Sequence, residues 1–151
     1  MHDTRKILES CACHRIRVAA RAVTRAYDDA LRPVGLRATQ LALLAAIEAE
    51  GALSITALAG LVGMDRTTLS RNLAPLERDG LVALGAEGWR RARTLDLTPK
   101  GRSRLEEAVP LWEGAQRRLR RDLGARRWDD VRKTLDHVIH STHPNPRKDP
   151  P

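Results

Sequence analysis

The stretch that decides the fold runs from Ser54 to Thr98, SITALAGLVGMDRTTLSRNLAPLERDGLVALGAEGWRRARTLDLT. Its spacing predicts a short helix, a turn at Gly63, a second helix and then two strands. Three leucines at helical spacing should be buried on one face of the second helix: Leu69, Leu73 and Leu76. The opposite face carries side chains suited to phosphates and base edges: Arg66, Thr67, Ser70 and Arg71. We call this second helix the recognition helix, because DNA binding is the function that such a face favours.

A basic loop follows the recognition helix. Apolar, strand-forming stretches at 81–84 and 94–97 flank this loop, which contains Arg90 and Arg91. A basic hairpin beside a helix-turn-helix is a wing. Residues from about 36 to about 98 therefore predict a winged helix-turn-helix, in a fold that is mainly α with a small β-hairpin wing. Double-stranded DNA is the expected partner.

Long amphipathic helices are predicted on both sides of the winged segment. Residues 3–31 lack Gly and Pro, and residues 99–141 should form two helices separated by Gly124. Their apolar faces exceed what one small winged domain can cover, so they predict a helical dimerisation region and an isologous homodimer. The alternative is an intramolecular cap of three helices. We expect one domain over residues 1–142 and a disordered Pro-rich tail over residues 143–151.

The composition favours a polyanionic partner. The formal net charge is +8, and 23 of the 27 basic residues are Arg, whose planar fork suits phosphates and guanine edges. Aromatic residues make up only 3 % of the chain, which argues against a stacking platform for single strands.

Several classes of protein are disfavoured by the sequence. No run of 18 apolar residues and no signal-peptide region is present, so we expect a cytoplasmic protein with no membrane partner. Two cysteines should then stay reduced. No Gly-rich phosphate loop, metal-hydrolase spacing or nucleophile elbow appears, so we expect neither an enzyme nor a cofactor. An architectural DNA-binding protein without an effector is the remaining alternative class.

Three segments together resemble the MarR family of bacterial transcriptional regulators. They are ALRPVGLRATQLALLAAI at 30–47, MDRTTLSRNLAPLERDGLV at 64–82 and LDLTPKGR at 95–102. The resemblance extends from about residue 11 to about residue 122. It implies an α-helical homodimer with one winged domain per subunit, and repression that a small molecule or oxidation relieves.

The family resemblance also assigns roles to the wing tip. There the family has an Asp-x-Arg motif, whose Arg enters the minor groove and whose Asp braces it. Arg91 matches the Arg, but Trp89 stands where the Asp should be, and whether Glu87 replaces it stays open. Arg90 and Arg93 are expected to meet phosphates or solvent.

The Cys-Ala-Cys-His segment at 11–14 resembles the organic hydroperoxide-sensing branch of the family. Cys13 lies eight residues before an Arg-Ala pair, as the sensing cysteine of that branch does, and Tyr27 matches a tyrosine that bonds to its thiolate. Fourteen helical residues span about 21 Å, so Tyr27 could reach only the cysteine of a partner subunit. Cys11 would serve as a resolving thiol. The branch's two further tyrosines are replaced by Arg17 and Leu41.

Other interpretations of the cysteines stay open. Cys11, Cys13 and His14 could bind zinc or copper with histidines near the other end of the chain, at positions 137, 140 and 143. On a regular helix, however, two residues at i and i+2 point about 200° apart, so both thiols could bind one ion only if the helix frays. Cys13 could also be a small buried side chain in a dimer seam. A small aromatic acid is a further possible effector.

Overall fold

A computed structural model describes residues 4–51, 53–85 and 94–142. The helices are α1 (Thr4–Ser10), α2 (Ala12–Leu31), α3 (Ala38–Glu50), α4 (Ile55–Val62), α5 (Arg66–Arg78), α6 (Pro99–Leu123) and α7 (Ala125–Thr142), with a 3-10 turn at Arg32–Val34. The strands are β1 (Leu53–Ser54), β2 (Val82–Leu84) and β3 (Thr94–Leu97). This mainly α architecture with a small sheet confirms the predicted fold class. The chain divides into two compact units, residues 1–113 and 114–151.

The first unit has a leucine-rich core that holds the recognition helix, α5, in place. Leu69, Leu73 and Leu76 are at most 2 % exposed, as their spacing predicted. They pack in one cluster with buried residues of α3, α4 and the sheet. Burying a leucine side chain contributes roughly 1.5–3 kcal/mol, so the inward face of α5 is fixed by the hydrophobic effect.

The turn of the helix-turn-helix follows from local chemistry. The hydroxyl of Ser54 accepts a hydrogen bond from the Ala57 amide at 3.1 Å and begins α4. Gly63 ends α4 with φ of +65°, a left-handed conformation that favours glycine. Gly80 closes the region after α5 in the same way, with φ of +69°.

The sheet contains a strand that the sequence analysis missed. The strand order is β1-β3-β2, with both pairs antiparallel. Leu95 of β3 is paired with Leu53 on one side and with Leu84 on the other, and it is fully buried. The missed strand, β1, has only two residues and leads straight into the α4 cap, so it carries no alternating pattern.

The first predicted helix is broken, which corrects the expectation of one continuous helix over residues 3–31. Cys11 has φ of −70° and ψ of 112°, an extended conformation between α1 and α2. The Ser10 hydroxyl donates to the Lys6 carbonyl at 2.6 Å, and the Arg15 guanidinium donates to the Glu9 carbonyl at 3.0 and 3.2 Å. Side chains thus satisfy carbonyls at the break. Neither Gly nor Pro marks this site in the sequence.

The second unit contains the end of α6 and all of α7. Gly124 separates the two helices with φ of +80°, as predicted. α7 has no buried residue, and three of its apolar side chains are between 40 and 56 % exposed: Val131, Leu135 and Ile139. In the parts of the chain that the structure describes, no helix is both long enough and apolar enough to cross a membrane. The predicted disordered tail lies outside the described residues.

Candidate nucleic-acid interface

The start of the recognition helix is fixed by Asp65. Its Oδ1 accepts the Thr68 amide at 2.8 Å, and its Oδ2 accepts the Thr68 hydroxyl at 2.6 Å. These bonds, the hydroxyl bond first, lower the pKa of the Asp65 carboxyl below its ordinary value. The carboxylate therefore stays ionised and holds the first turn, from which Arg66 and Thr67 project.

The outward face of α5 carries the four residues that the sequence predicted for DNA contact. Arg66, Thr67, Ser70 and Arg71 are all exposed, in contrast to the buried leucines of the same helix. The Ser70 hydroxyl donates to the Arg66 carbonyl at 2.8 Å. Its proton is thus used within the helix, and its lone pairs are left to accept from a partner. The two arginines are the main donors of this face.

A charged cleft opens beside this face, and the sequence analysis did not find it. Its volume is about 830 Å³. It is lined by five arginines and three aspartates among fourteen residues: Arg25, Asp28, Asp29, Arg32, Gly35, Leu36, Arg37, Thr39, Gln40, Arg71, Asn72, Pro75, Arg78 and Asp79. Arg71 belongs to both the cleft and the outward face of α5. No single stretch of sequence signals the cleft, because two stretches distant in sequence, 25–40 and 71–79, form it.

Two side chains hold the turn between α2 and α3 at the edge of this cleft. Asp28 Oδ1 accepts the Ala38 amide at 2.7 Å and so caps α3 from another helix. Arg104 of α6 donates to the Val34 carbonyl at 2.6 Å. The entry to α3 is therefore fixed from two directions.

The base of the wing is attached to α6 and α3. Arg102 lies 3.1 Å from Asp96 of β3 and 3.2 Å from Glu48 of α3. Lys100 donates to the Asp79 carbonyl at 2.8 Å, which ties the end of the recognition helix to α6. The wing tip, with Glu87, Trp89, Arg90, Arg91 and Arg93, lies outside the described residues, so its predicted contacts stay predictions.

The cysteines lie at the break between the first two helices. Both thiols are free; Cys11 is half-buried in the break and Cys13 is exposed in the first turn of α2. Exposure argues against Cys13 as a side chain buried within a single chain. Tyr27 is half-buried near the other end of α2, and the burial raises the pKa of its phenol. Cys13 and Tyr27 are both on α2, so a contact between Cys13 and the Tyr27 of a partner subunit stays a prediction.

A metal site is not assembled in the described part of the chain. Within residues 4–51, 53–85 and 94–142, no three His, Cys, Asp or Glu side chains converge as a metal-binding group. His137 and His140 are exposed on α7, and His143 lies outside the described residues.

Known proteins resemble this chain over most of its length. The M. tuberculosis transcriptional regulator MosR is 41 % identical over 89 % of this chain and 97 % of that chain, with a TM-score of 0.79. A second MosR structure, in complex with DNA, has a TM-score of 0.80 at the same identity, over 88 % of this chain and 96 % of that chain.

Two more distant structures have the same fold. The transcriptional repressor CouR, bound to a 23-mer DNA duplex, is 25 % identical over 92 % of this chain and 99 % of that chain, with a TM-score of 0.79. A mutant of E. coli MarR in complex with operator DNA is 22 % identical over 88 % of this chain and 97 % of that chain, with a TM-score of 0.78. The family model HVO_A0114 matches residues 35–95. Among curated proteins no match is found.

Proposed function

Since the chain belongs to the MarR family of winged helix-turn-helix transcriptional regulators, we propose that it binds double-stranded DNA sequence-specifically and represses transcription until an effector releases it. The observation that carries the proposal is the exposed, Asp65-capped face of α5 with Arg66 and Arg71. Binding, and no catalysis, is the proposed activity. That a relative 41 % identical is solved in complex with DNA supports the same role.

Base recognition is assigned to the first turns of α5. Arginine can donate two hydrogen bonds to O6 and N7 of guanine in the major groove, which fits the exposed Arg71. Thr67 and Ser70 can bond to bases or phosphates. Arg91, at the wing tip, is proposed to enter the minor groove, while Arg90 meets phosphates.

A homodimer is proposed because the helices outside the winged segment expose apolar side chains. Within the described residues these include Ile7, Leu8, Ile16, Val18, Val23, Val109, Trp112, Val131, Leu135 and Ile139. So many exposed apolar groups on helices are characteristic of a surface that a second protein chain covers. An isologous dimer would place two recognition helices on an imperfect palindrome with half-sites about one helical turn apart.

The test begins with selection of bound sequences from random duplex DNA. We expect a palindromic consensus, to which Arg71→Ala should bind about 1–3 kcal/mol more weakly than the wild type. Arg91→Ala should weaken binding and flatten its salt dependence. Arg132→Ala, at an exposed position on α7, is the control and should match the wild type. No consensus at all would favour the architectural class of protein, and unchanged binding by both variants would show that the assigned face is wrong.

Thiol oxidation at Cys13 is the effector mechanism that we propose first. The exposed Cys13 thiolate would attack the terminal oxygen of an organic hydroperoxide, giving a sulfenic acid and releasing the alcohol. The Cys11 thiolate would then attack the sulfenic sulfur, forming a disulfide and releasing water. Because Cys11 lies outside the regular helix, the 200° separation of helical residues does not apply to this pair. Tyr27 of the partner subunit would hydrogen-bond to the thiolate.

The redox proposal is tested by DNA release. Cumene hydroperoxide should release the wild type, whereas Cys13→Ser should stay bound at the same dose and Cys11→Ser should respond at least in part. Mass spectrometry of the treated wild type should find sulfenic acid, or its disulfide, at Cys13. Equal release of Cys13→Ser would refute the mechanism.

A small aromatic acid is the second candidate effector, and the charged cleft favours it. The arginines of the cleft could bind a carboxylate, and a ligand beside Arg71 would compete with DNA for that guanidinium. Benzoate can serve as the probe. Release by benzoate that is equal in the wild type and in Cys13→Ser would support this candidate over oxidation; a release that depends only on an added divalent metal would contradict both.

A further inference from the structure

The strongest concentration of positive charge lies in the second unit, away from the recognition helix in the sequence. Residues 117–127, RRLRRDLGARR, contain six arginines and one aspartate, a formal charge of +5 in a chain whose net charge is +8. By contrast, residues 65–80, which comprise the recognition helix and its caps, carry three arginines and three acidic residues. The excess charge of the protein is therefore not explained by the recognition helix. We call residues 117–127 the arginine corner.

The arginines of this segment share one side of α6. Arg117, Arg120 and Arg121 are spaced i, i+3 and i+4, and Arg118 lies next to them on the helix surface. The less exposed residues of the same stretch lie on the other side: Ala115, Leu119 and Leu123. The charged and apolar faces are thus distinct, and covering the apolar face would leave the arginines accessible.

The charged surface continues beyond the turn at Gly124. Arg126 and Arg127 lie in the first turn of α7, and all six arginines of the corner are exposed. The positive end of the helix dipole lies at this first turn, where cations are disfavoured. Like charges crowded into one corner also repel one another. The helix dipole therefore does not favour Arg126 and Arg127 at this position.

The acidic residue inside the corner offsets little of this charge. Arg121 Nε lies 3.5 Å from Asp122 Oδ1, and the two side chains are 76 and 60 % exposed. Exposed pairs of this kind are worth little because water screens them. An external polyanion would reduce the repulsion that remains among the arginines of the corner.

We propose that the arginine corner binds the phosphate backbone of a second DNA duplex without sequence preference, while the recognition helices hold an operator. A duplex offers one phosphate charge per about 1.7 Å of axis, and arginine pairs with phosphate through two parallel hydrogen bonds. An acidic protein fits less well, because its Asp and Glu side chains are depleted in stable protein interfaces, whereas a duplex carries a continuous row of phosphates. The inference goes beyond the proposed function, since it assigns DNA binding to residues outside the recognition helix and the wing.

The direct test measures binding to a fluorescein-labelled 20-bp duplex that lacks the selected consensus, between 50 and 200 mM salt. The corner variant is Arg120→Gln/Arg121→Gln/Arg126→Gln/Arg127→Gln. The control, Arg5→Gln/Lys6→Gln/Arg132→Gln/Lys133→Gln, removes the same charge from exposed positions elsewhere. Each lost phosphate contact should flatten the log–log salt slope by about 0.9, so four should flatten it by about 3.6 and weaken binding at least tenfold at low salt. The control should weaken binding at low salt less than threefold.

Bridging then separates the corner from the recognition helix. Wild-type protein bound to an immobilised consensus duplex should capture the labelled 20-bp duplex, and the corner variant at equal occupancy should not. In Arg66→Ala/Arg71→Ala, consensus binding should fall while binding of the 20-bp duplex persists. If those two substitutions leave consensus binding intact, the assigned recognition face is wrong, although loss of duplex binding in the corner variant would still support the corner. The inference would be overturned if a folded corner variant bridged two duplexes and showed the same salt slope as the wild type. It would also be overturned if the wild type bound polyglutamate but showed no measurable binding of the 20-bp duplex.

Discussion

Replacing Gly101 by alanine should destabilise the protein, although alanine is the better helix former. Gly101 is buried in the first turns of α6, against the segment that follows the recognition helix. A Cβ built on Gly101 would overlap the carbonyl oxygen of Leu81 and lie 3.0 Å from its carbonyl carbon. Backbone atoms, not the end of a flexible side chain, cause the clash, so relief requires the two segments to separate by roughly an ångström.

The size of the effect follows from the bonds at this contact. The Leu81 carbonyl accepts the Thr98 amide at 3.1 Å, while the Thr98 hydroxyl donates to the neighbouring Gly80 carbonyl at 2.6 Å and lies 3.3 Å from the Leu81 oxygen. Overpacking costs about 1–3 kcal/mol, and each weakened hydrogen bond adds up to about 1 kcal/mol. The higher helix propensity of alanine returns about 1 kcal/mol. With one hydrogen bond weakened, these terms sum to a net loss of about 1–3 kcal/mol in the free energy of unfolding, which lowers Tm by roughly 2–12 °C.

The matched control is Gly60→Ala in α4. Gly60 is exposed, and no heavy atom lies within 4 Å of its built Cβ, so only the helix propensity changes. This variant should be more stable than the wild type by about 0.5–1 kcal/mol. Urea unfolding followed by circular dichroism measures both variants at one protein concentration, because the proposed dimerisation would make stability depend on concentration. A Gly101→Ala variant as stable as the wild type would refute the reasoning.

Three further outcomes are expected. Leu58→Ala should lose about 2–5 kcal/mol of unfolding free energy, because Leu58 is fully buried. Leu61 lies on the same helix but is 54 % exposed, so Leu61→Ala should change the unfolding free energy by less than about 0.5 kcal/mol. The midpoints of urea unfolding measure both changes. Because the folded protein lowers the pKa of Asp65, the ionised carboxylate stabilises the fold through its cap of α5. This stabilisation is complete above the ordinary pKa of about 3.9 and is lost as the pH falls through the lower pKa of the folded state. Asp65→Asn should therefore lose less stability than the wild type between pH 5 and pH 2.5, and parallel loss in both would count against the cap. Sedimentation at micromolar concentration should find a dimer, and a compact monomer would contradict the proposed interface.

The amino-acid sequence determined the parts of the molecule that depend on local interactions. The leucine spacing of α5, the Asp65 cap and the glycines at 63, 80 and 124 act within a few residues, so their effects follow from helix geometry and backbone sterics. The exposed face of Arg66 and Arg71 followed from the same periodicity, because burial of one side of a helix fixes the other.

Only the tertiary structure decided the features that join distant segments. The contact of Gly101 with Leu81, the bond of Arg104 to the Val34 carbonyl 70 residues away and the pairing of β1 with β3 depend on how elements meet in space. The charged cleft combines residues of α2, α3 and α5 for the same reason. At Cys11, side-chain bonds to backbone carbonyls accompany a helix break that neither Gly nor Pro announces. Local preference sets what each segment can form, whereas close packing between segments sets where backbones touch, and that distance is not encoded in any single stretch of sequence.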